Sequence, residues 1–228
     1  MPRAPQALEA LLRDLGPQLR RGGAGDEVPP RLATGRPPID ALLGGGFPRG
    51  RLSEVAGPPS SGRTSLALAL LAEVTRRGEV LAVVDAADAF DPASAESAGV
   101  ALERVLWVRP RPPAGTPALR CAERLLEARG FALVLLDLAA APPPRIAPAA
   151  WPRLARAAAA GGTALLALSG GRLAGSAAEL ALELRPARAH FIGSPVLLEG
   201  LEAEAFLVRG RSQAPHGAPS ALLRTRAA

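Results

Sequence analysis

A nine-residue stretch has the residue types and the spacing that phosphate binding requires. It runs from Gly57 to Ser65 and reads Gly-Pro-Pro-Ser-Ser-Gly-Arg-Thr-Ser. This is close to the pattern G-x-x-x-x-G-K-[ST], in which glycines let backbone N–H groups fold around phosphate oxygens. A helix that starts at the second glycine adds its partial positive charge, and Thr64 is placed to offer a hydroxyl to a magnesium ion. The stretch predicts a phosphate-binding loop.

One residue departs from that pattern, because Arg63 stands where the lysine is expected. A lysine ammonium is a compact charge on a flexible stem, whereas a guanidinium is planar, larger and directional. The sequence therefore indicates descent from a phosphate-binding loop more strongly than it indicates binding of a triphosphate. The candidate nucleotide-binding residues are Gly57, Ser60, Ser61, Gly62, Arg63, Thr64, Ser65 and, from a later strand, Asp137.

The elements that must position this loop alternate between strands and helices. A short strand precedes the loop and an Ala/Leu-rich helix follows it. Later apolar runs are continuous rather than alternating, which is typical of strands buried on both faces of a sheet. Strands are predicted at Leu52–Ala56, Val80–Asp85, Val105–Val108, Ala132–Asp137 and Thr163–Leu168, and helices at about 63–77, 118–129 and 149–160.

After Gly175 the hydrophobic period changes to strict alternation, which predicts antiparallel strands. Further strand candidates are Ala205–Val208 and Ala221–Leu223. The predicted fold class is therefore α/β, with a mostly parallel central sheet, helices on both faces and antiparallel strands at the C-terminal end.

Three regions are expected along the chain. Residues 1–15 form an amphipathic helix whose apolar stripe is Leu8, Leu11, Leu12 and Leu15. Residues 16–30 are rich in Gly, Pro and Arg and are predicted to be a linker. Residues 31–228 make up the α/β core domain.

The amino-acid composition of the chain argues against several classes of function. The chain has 228 residues, 48% of them hydrophobic, and a formal net charge of +6 in which every basic residue is arginine. No apolar run reaches the roughly 18 residues of a membrane span, so we expect a soluble cytoplasmic protein. Aromatic residues are only 3%, which leaves little material for stacking single-stranded bases. The single cysteine and two histidines have no metal-binding spacing, so no metal site is predicted.

Beyond the loop, the chain resembles the RecA family over residues 32–110 closely, and more loosely through Asp137 and 163–168 to 208–211. The resemblance is carried by Ala33-Thr34-Gly35, Ile39-Asp40-Ala41-Leu42-Leu43, Gly45–Leu52, Val83–Pro92 and Gly99-Val100. It implies a RecA-like P-loop core. It also implies that ATP and magnesium are the ligands to consider, although the departures below lead us to expect no working cofactor.

The departures from the RecA pattern concern hydrolysis and DNA. Where RecA carries the glutamate that activates the attacking water, this chain has Ala87, and a methyl group cannot accept a proton. Losing a general base typically costs about 10²–10⁴ in rate. The neighbouring acids are Asp85, two residues back, and Asp88, which should face the other way. The two loops that present DNA in RecA are shortened, so direct DNA binding should be weak and salt-dependent.

A RecA-like core with a degenerate loop and no C-terminal RecA domain resembles the ImuA family. That resemblance implies a non-hydrolysing accessory role in SOS-induced, mutagenic translesion synthesis. RecA and the Y-family-like ImuB are the implied partners, with an error-prone DnaE-type polymerase as an indirect one. The candidate interface residues are Leu8, Leu11, Leu12, Leu15, Arg209 and Arg211, the arginines matching RecA lysines at the filament interface. The alternatives are a divergent RecA/RadA-like DNA-dependent ATPase and a SulA-type cell-division inhibitor.

Overall fold

A computed structural model describes residues 29–86, 88–111, 115–139, 146–210 and 220–226. Its strands are β1 (Arg31–Leu32), β2 (Phe47–Pro48), β3 (Leu52–Ala56), β4 (Leu81–Asp85), β5 (Val105–Val108), β6 (Leu133–Asp137), β7 (Ala164–Ser169), β8 (Leu180–Ile192), β9 (Leu197–Arg209) and β10 (Ser220–Arg226). Its α-helices are α1 (Pro37–Leu42), α2 (Arg63–Arg76), α3 (Pro92–Ser97), α4 (Gly115–Ala128) and α5 (Ala150–Gly161). Two short 3₁₀ turns, Leu102–Arg104 and Gly175–Ala177, complete the described elements.

An eight-stranded sheet organises the molecule, in the order β10-β9-β8-β3-β7-β6-β4-β5. The six strands from β8 to β5 pair in parallel, whereas β8, β9 and β10 pair in antiparallel fashion. A separate antiparallel pair, β1 with β2, precedes the sheet in the chain. The predicted fold class, a mostly parallel sheet with antiparallel strands added at its C-terminal end, is confirmed.

Two hydrophobic clusters lie on opposite faces of this sheet because successive side chains of each strand point to opposite sides. On β6, Leu133 and Leu135 join one cluster while Val134 and Leu136 join the other. Helices α1, α2 and α3 cover the first face, and α4 and α5 cover the second. Strands buried on both faces need apolar residues at every position, which explains the continuous apolar runs in the sequence.

Helix α2 shows how the sequence specifies one of these covering elements. Its Ala/Leu-rich sequence suits a helix, and Leu66, Leu70 and Val74 recur at four-residue spacing on the buried face. Arg76 and Arg77 end the helix with ion pairs to Glu73, at 2.7 and 2.9 Å. They lower the pKa of Glu73 to about 2, mainly through the hydrogen bond from Arg76. The rigid helix fixes the position of the loop at its N-terminus.

The outer strands differ most from the sequence prediction. Strands β8 and β9 each have 13 residues, so the candidate Ala205–Val208 is only part of a much longer strand. Pairing between β8 and β9, rather than local alternation, extends both strands outward from the sheet. Elsewhere the differences are small: α4 begins at Gly115 rather than 118, and β4 begins at Leu81 rather than Val80. None of the helices in the described ranges is long and apolar enough to cross a membrane.

Candidate functional site

The predicted phosphate-binding loop lies at the carboxyl end of β3 and leads directly into α2. Its first residue, Gly57, donates its N–H to the carbonyl of Ser169 at 3.1 Å, which ties the loop to the end of β7. The N–H of Ser61 bonds the Pro58 carbonyl at 3.2 Å, and Ser60 has a left-handed φ of 61°. Thr64 is exposed and Ser65 half-buried on the first turn of α2. The loop therefore has the strand–loop–helix setting that its sequence predicts.

Close neighbours require glycine at both glycine positions of the loop pattern, Gly57 and Gly62. Gly62, with φ of +83°, precedes α2, and no side chain caps the helix there. A Cβ on Gly62 would lie 3.2 Å from the Leu223 side chain and 3.3 Å from Ala203. A Cβ on Gly57 would lie 2.7 Å from the carbonyl oxygen of Leu184 and would overlap the side chain of Ser61. The antiparallel strands thus pack directly against the loop.

The guanidinium of Arg63 is engaged within the loop itself. Its Nη1 donates a hydrogen bond to the carbonyl oxygen of Gly57, six residues earlier. The side chain therefore folds back toward the first residue of the loop. The Oγ of Ser61 is buried under the loop with no hydrogen-bond partner among the described residues.

Two carboxylates lie side by side at the carboxyl ends of adjacent strands. Asp85 ends β4, Asp137 ends β6, and the two are directly paired in register. Burial raises the pKa of Asp137, and the nearby Asp85 charge acts in the same direction. The backbone N–H of Ala139, at 2.9 Å, and the Arg63 charge oppose that effect. Asp137 is thus near enough to Arg63 to be influenced by its charge, and its place in a nucleotide site stays a prediction.

Asp85 has a structural role that occupies both of its oxygens. It is 1% exposed and accepts the N–H groups of Ala89 and Phe90, each at 3.0 Å. The indole Nε1 of Trp107 donates to the same carboxylate at 3.2 Å. These bonds hold the turn after β4 against β5.

Asp88, the other acid in this turn, is exposed and lies beside Arg109. It has a left-handed φ of 54° and lies 3.5 Å from the guanidinium of Arg109, with 60% of its side chain exposed. That guanidinium also stacks on the Trp107 ring, 4.5 Å from its centroid. The idea that Asp85 or Asp88 activates a water finds no support in these contacts.

A buried carboxylate that the sequence prediction missed lies beneath the site. Glu54, in the middle of β3, is 0% exposed, and its Oε1 accepts the backbone N–H groups of Leu173 and Ala174. The second oxygen has no partner among the described residues. Glu54 thus fastens the loop after β7 to the strand that enters the phosphate loop. The available signal was a single carboxylate in the middle of the short strand predicted at Leu52–Ala56.

The structure places the remaining candidates as follows. Arg209 is exposed at the last position of β9, which lies two strands from β3, so it is not part of the loop site. Among the described residues, no group of three or more His, Cys, Asp and Glu side chains is arranged to hold a metal ion. Outside the described residues lie Leu8, Leu11, Leu12, Leu15, Ala87 and Arg211.

Comparison with known proteins relates the sequence of this chain to one protein family. Residues 19–148 match the family model described as the RecA N-terminal domain. The chain is 43% identical over 130 residues to Protein RecA of Prochlorococcus marinus strain MIT 9211, covering 57% of this chain and 35% of that protein. It is 42% identical over 146 residues to Protein RecA of Synechococcus sp. strain WH7803, covering 61% and 38%. The chain therefore spans less than half the length of these relatives.

A solved structure supports the fold independently. The crystal structure of the RadB recombinase superposes with a TM-score of 0.63 and 23% sequence identity, covering 85% of this chain and 95% of that one. At that identity the likeness concerns the fold alone. The family match, by contrast, covers more than half of the chain, from residue 19 through β6. The chain therefore belongs to the RecA N-terminal domain family.

Proposed function

We propose that this chain is a RecA-fold accessory protein that acts by binding other proteins and does not hydrolyse ATP. The observation that carries the proposal is the hydrogen bond between the Arg63 guanidinium and the Gly57 carbonyl. A cationic group that faces an incoming phosphate stabilises the charge that develops during transfer. Here that cation is held by the loop's own backbone, so the first requirement for phosphoryl transfer is weakened.

The groups that could activate water support the same proposal. Asp85 is buried and accepts three hydrogen bonds, and Asp88 is turned outward toward Arg109. A general base must come within hydrogen-bond reach of the water whose proton it removes. Ala87, which stands where the RecA pattern has its glutamate, has no group that could accept a proton. Hydrolysis would therefore need a base from elsewhere.

Nucleotide binding without turnover remains compatible with the loop. The uncapped N-terminus of α2 leaves backbone N–H groups free for an anion, and the exposed Thr64 and the nearby Asp137 are the residues that would hold magnesium. The unpartnered Oγ of Ser61 adds a polar group beneath the loop. When bound, ATP would supply phosphate oxygens as hydrogen-bond acceptors for these groups. In this proposal its role is to stabilise the loop.

The proposed partners follow from the family relationship. The chain shares 38–43% identity with RecA proteins over 130–146 residues, so surfaces that pair one RecA subunit with the next are candidates for meeting RecA itself. Arg209, exposed at the end of β9, is the described residue on that candidate surface. The resemblance to the ImuA family adds ImuB and, through it, a DnaE-type polymerase. The role would be to modulate or cap RecA filaments in SOS-induced translesion synthesis.

The test is direct binding between purified proteins. We expect the chain to bind RecA assembled on single-stranded DNA, and to bind ImuB, in biolayer interferometry. Neither interaction should require the chain to hydrolyse ATP. Arg209→Glu should weaken RecA binding by about tenfold, because it reverses a charge at the proposed contact. The matched control is Arg156→Glu, an exposed arginine on α5, which should leave binding unchanged. The proposal would be overturned if the chain bound neither RecA nor ImuB.

A second candidate, a divergent RecA/RadA-like DNA-dependent ATPase, is favoured by one observation. The complete strand–loop–helix geometry, with Asp137 close to Arg63, is retained. That candidate predicts phosphate release that single-stranded DNA stimulates, whereas the accessory role predicts none.

A further inference from the structure

The outer half of β8 has an unpaired edge. Strand β3 pairs with β8 only from Ser53 to Ala56, opposite Leu180 to Glu183. From Leu184 to Ile192, among the described residues, β8 is paired on its β9 side alone. We call this part of the β8–β9 hairpin, residues 184–198, the arm. Its open edge offers unpaired backbone N–H and C=O groups, which can accept an additional strand.

The end of the arm is strongly apolar and exposed. Phe191 is 60% exposed, Ile192 52%, Val196 70% and Leu197 62%. These residues are adjacent because Phe191 pairs with Leu198 and Ile192 with Leu197. Because successive side chains of a strand point to opposite faces, one of these apolar pairs lies on each face of the ribbon, and exposed apolar residues grouped in this way are typical of interaction sites. A two-stranded ribbon without a covered face is also only marginally stable alone.

The charge of the arm restricts what can cover it. On β8, residues 184–192 include Arg185, Arg188 and His190 but no carboxylate, whereas Glu199, Glu202 and Glu204 lie on β9, one strand away from the open edge. Arg185 is paired with Glu183 at 3.0 Å. No carboxylate of the described residues lies within ion-pair distance of Arg188.

The residue opposite Arg188 is already engaged. Glu202 lies across from Arg188 on β9 and is bound instead by Arg224 at 2.7 Å, with the His190 Nε2 at 3.3 Å. Arg188 therefore remains available to an acidic group from outside. A second copy of the chain would bring the same cationic edge and the same net charge of +6, and like charges placed opposite each other are unfavourable.

The geometry of the edge limits the length of the added strand. Pro186 has no N–H, and the β8–β9 register shifts between Pro186 and Arg188 and again between His190 and Phe191. Such bulges and prolines discourage pairing at the root of the arm. The stretch beyond the root is Arg188–Ile192, which spans about 17 Å at roughly 3.3 Å per residue and contains the second register shift. This is the length of an ordinary strand.

We propose that the arm binds an extended segment of a partner protein, apolar and bearing carboxylates, as a strand added to the open edge of β8. The backbone groups of Arg188–Ile192 supply the hydrogen bonds, the apolar end of the arm supplies the buried area, and Arg188 selects an acidic partner. This proposal deepens the proposed function by naming the chemistry of a contact surface. Its test uses neither RecA nor nucleotide, so either proposal can fail alone.

The probe is a fluorescein-labelled eight-residue peptide that alternates valine and glutamate. We expect saturable binding by fluorescence anisotropy to the full chain, and slowed amide hydrogen exchange in residues 187–192 when the peptide is bound. A peptide that alternates valine and lysine should not bind, and neither should the acidic peptide with prolines at two central positions. Arg188→Glu should weaken binding by about tenfold because it replaces attraction by repulsion. The matched control Arg156→Glu should bind the peptide as the unchanged chain does.

Four results would overturn the proposal. One is the absence of saturable binding by the acidic peptide at millimolar concentration. A second is binding that Arg188→Glu leaves unchanged. A third is tighter binding of a single-stranded oligonucleotide at the arm, with exchange in residues 187–192 slowed by DNA and not by peptide. The fourth is slow exchange of these amides in the free chain that speeds up on dilution or on deletion of residues 1–28, because the arm would then be covered by a second copy or by the chain's own N-terminal segment.

Discussion

At the scale of single residues, Arg63 is the change with the largest consequence for the loop. A planar guanidinium reaches the Gly57 carbonyl, and the bond directs one of its N–H groups to the loop's own backbone. A lysine at the same position would place a compact ammonium on a flexible stem. The difference between the two residues can therefore be measured as nucleotide affinity.

Arg63→Lys should strengthen the binding of a fluorescent ATP analogue by about tenfold or more, since about 1.4 kcal/mol corresponds to a factor of ten. Phosphate release should stay at background, because the substitution supplies a cation and no general base. Arg76→Lys, on the exposed side of the same helix, is the control and should leave affinity unchanged. Weaker nucleotide binding by Arg63→Lys would contradict the role assigned to the guanidinium.

Asp137 predicts a distinct pH dependence of stability. Because burial raises the pKa of Asp137, the folded state holds this proton more tightly than the unfolded state does. Its contribution to stability is therefore greatest below the unfolded pKa, about 3.9, and declines as pH rises through the higher folded pKa. Asp137→Asn removes that decline while its amide oxygen can still accept the Ala139 N–H.

Urea unfolding from pH 3 to pH 8 tests this. Asp137→Asn should be more stable than the unchanged chain at neutral pH, and the difference should vanish toward pH 3. An Asp137→Asn protein that is less stable at neutral pH would show that the charged carboxylate is stabilised by contacts stronger than its burial.

Much of the site's residue chemistry could be predicted from the sequence, and its limits have a physical cause. The loop from Gly57 to Ser65 is contiguous, so local spacing was enough to find it. The bonds to Asp85 could not be predicted, because Trp107 lies 22 residues away and meets it only through strand pairing. Glu54 is a stronger case, since its partner Leu173 is 119 residues away.

At the scale of elements, the packing of β8 against the phosphate loop makes a sharp prediction. Gly57→Ala would place a Cβ 2.7 Å from the Leu184 carbonyl, which is backbone and cannot move aside cheaply. Such overpacking typically costs about 1–3 kcal/mol. Gly171→Ala is the matched control, because nothing lies within 4 Å of its Cβ position, and it should change stability by less than about 0.5 kcal/mol. Equal urea midpoints for the two variants would show that the loop adapts without cost.

The elements themselves divide into those that local pattern predicts and those that it does not. Strands β4, β6 and β7 come from continuous apolar runs, β3 was expected as the short strand before the phosphate loop, and α2 comes from an Ala/Leu-rich run, so they were found within a few residues. The sequence did not predict the arm, because beyond Leu184 it has Arg185 and Pro186 and no buried face whose apolar pattern would indicate a strand. Pairing with β9, not propensity, makes that stretch a strand.

At the scale of the whole molecule, the chain combines a RecA-type sheet with a phosphate loop whose cation is internally bonded and an arm that continues β8 beyond the end of β3. The two features meet at Leu184, the first residue of the arm, whose carbonyl oxygen would lie 2.7 Å from a Cβ on Gly57. A protein that works by contact needs the sheet to hold its surfaces and does not need a nucleotide cycle to move them. The proposed role therefore requires binding of partner proteins and no hydrolysis of ATP.

The most direct measurement is phosphate release by the purified full chain with ATP and magnesium, in the presence and absence of single-stranded DNA. The account predicts no release above a protein-free blank under either condition. Release at the pace of a RecA protein assayed in parallel, and stimulated by DNA, would contradict it.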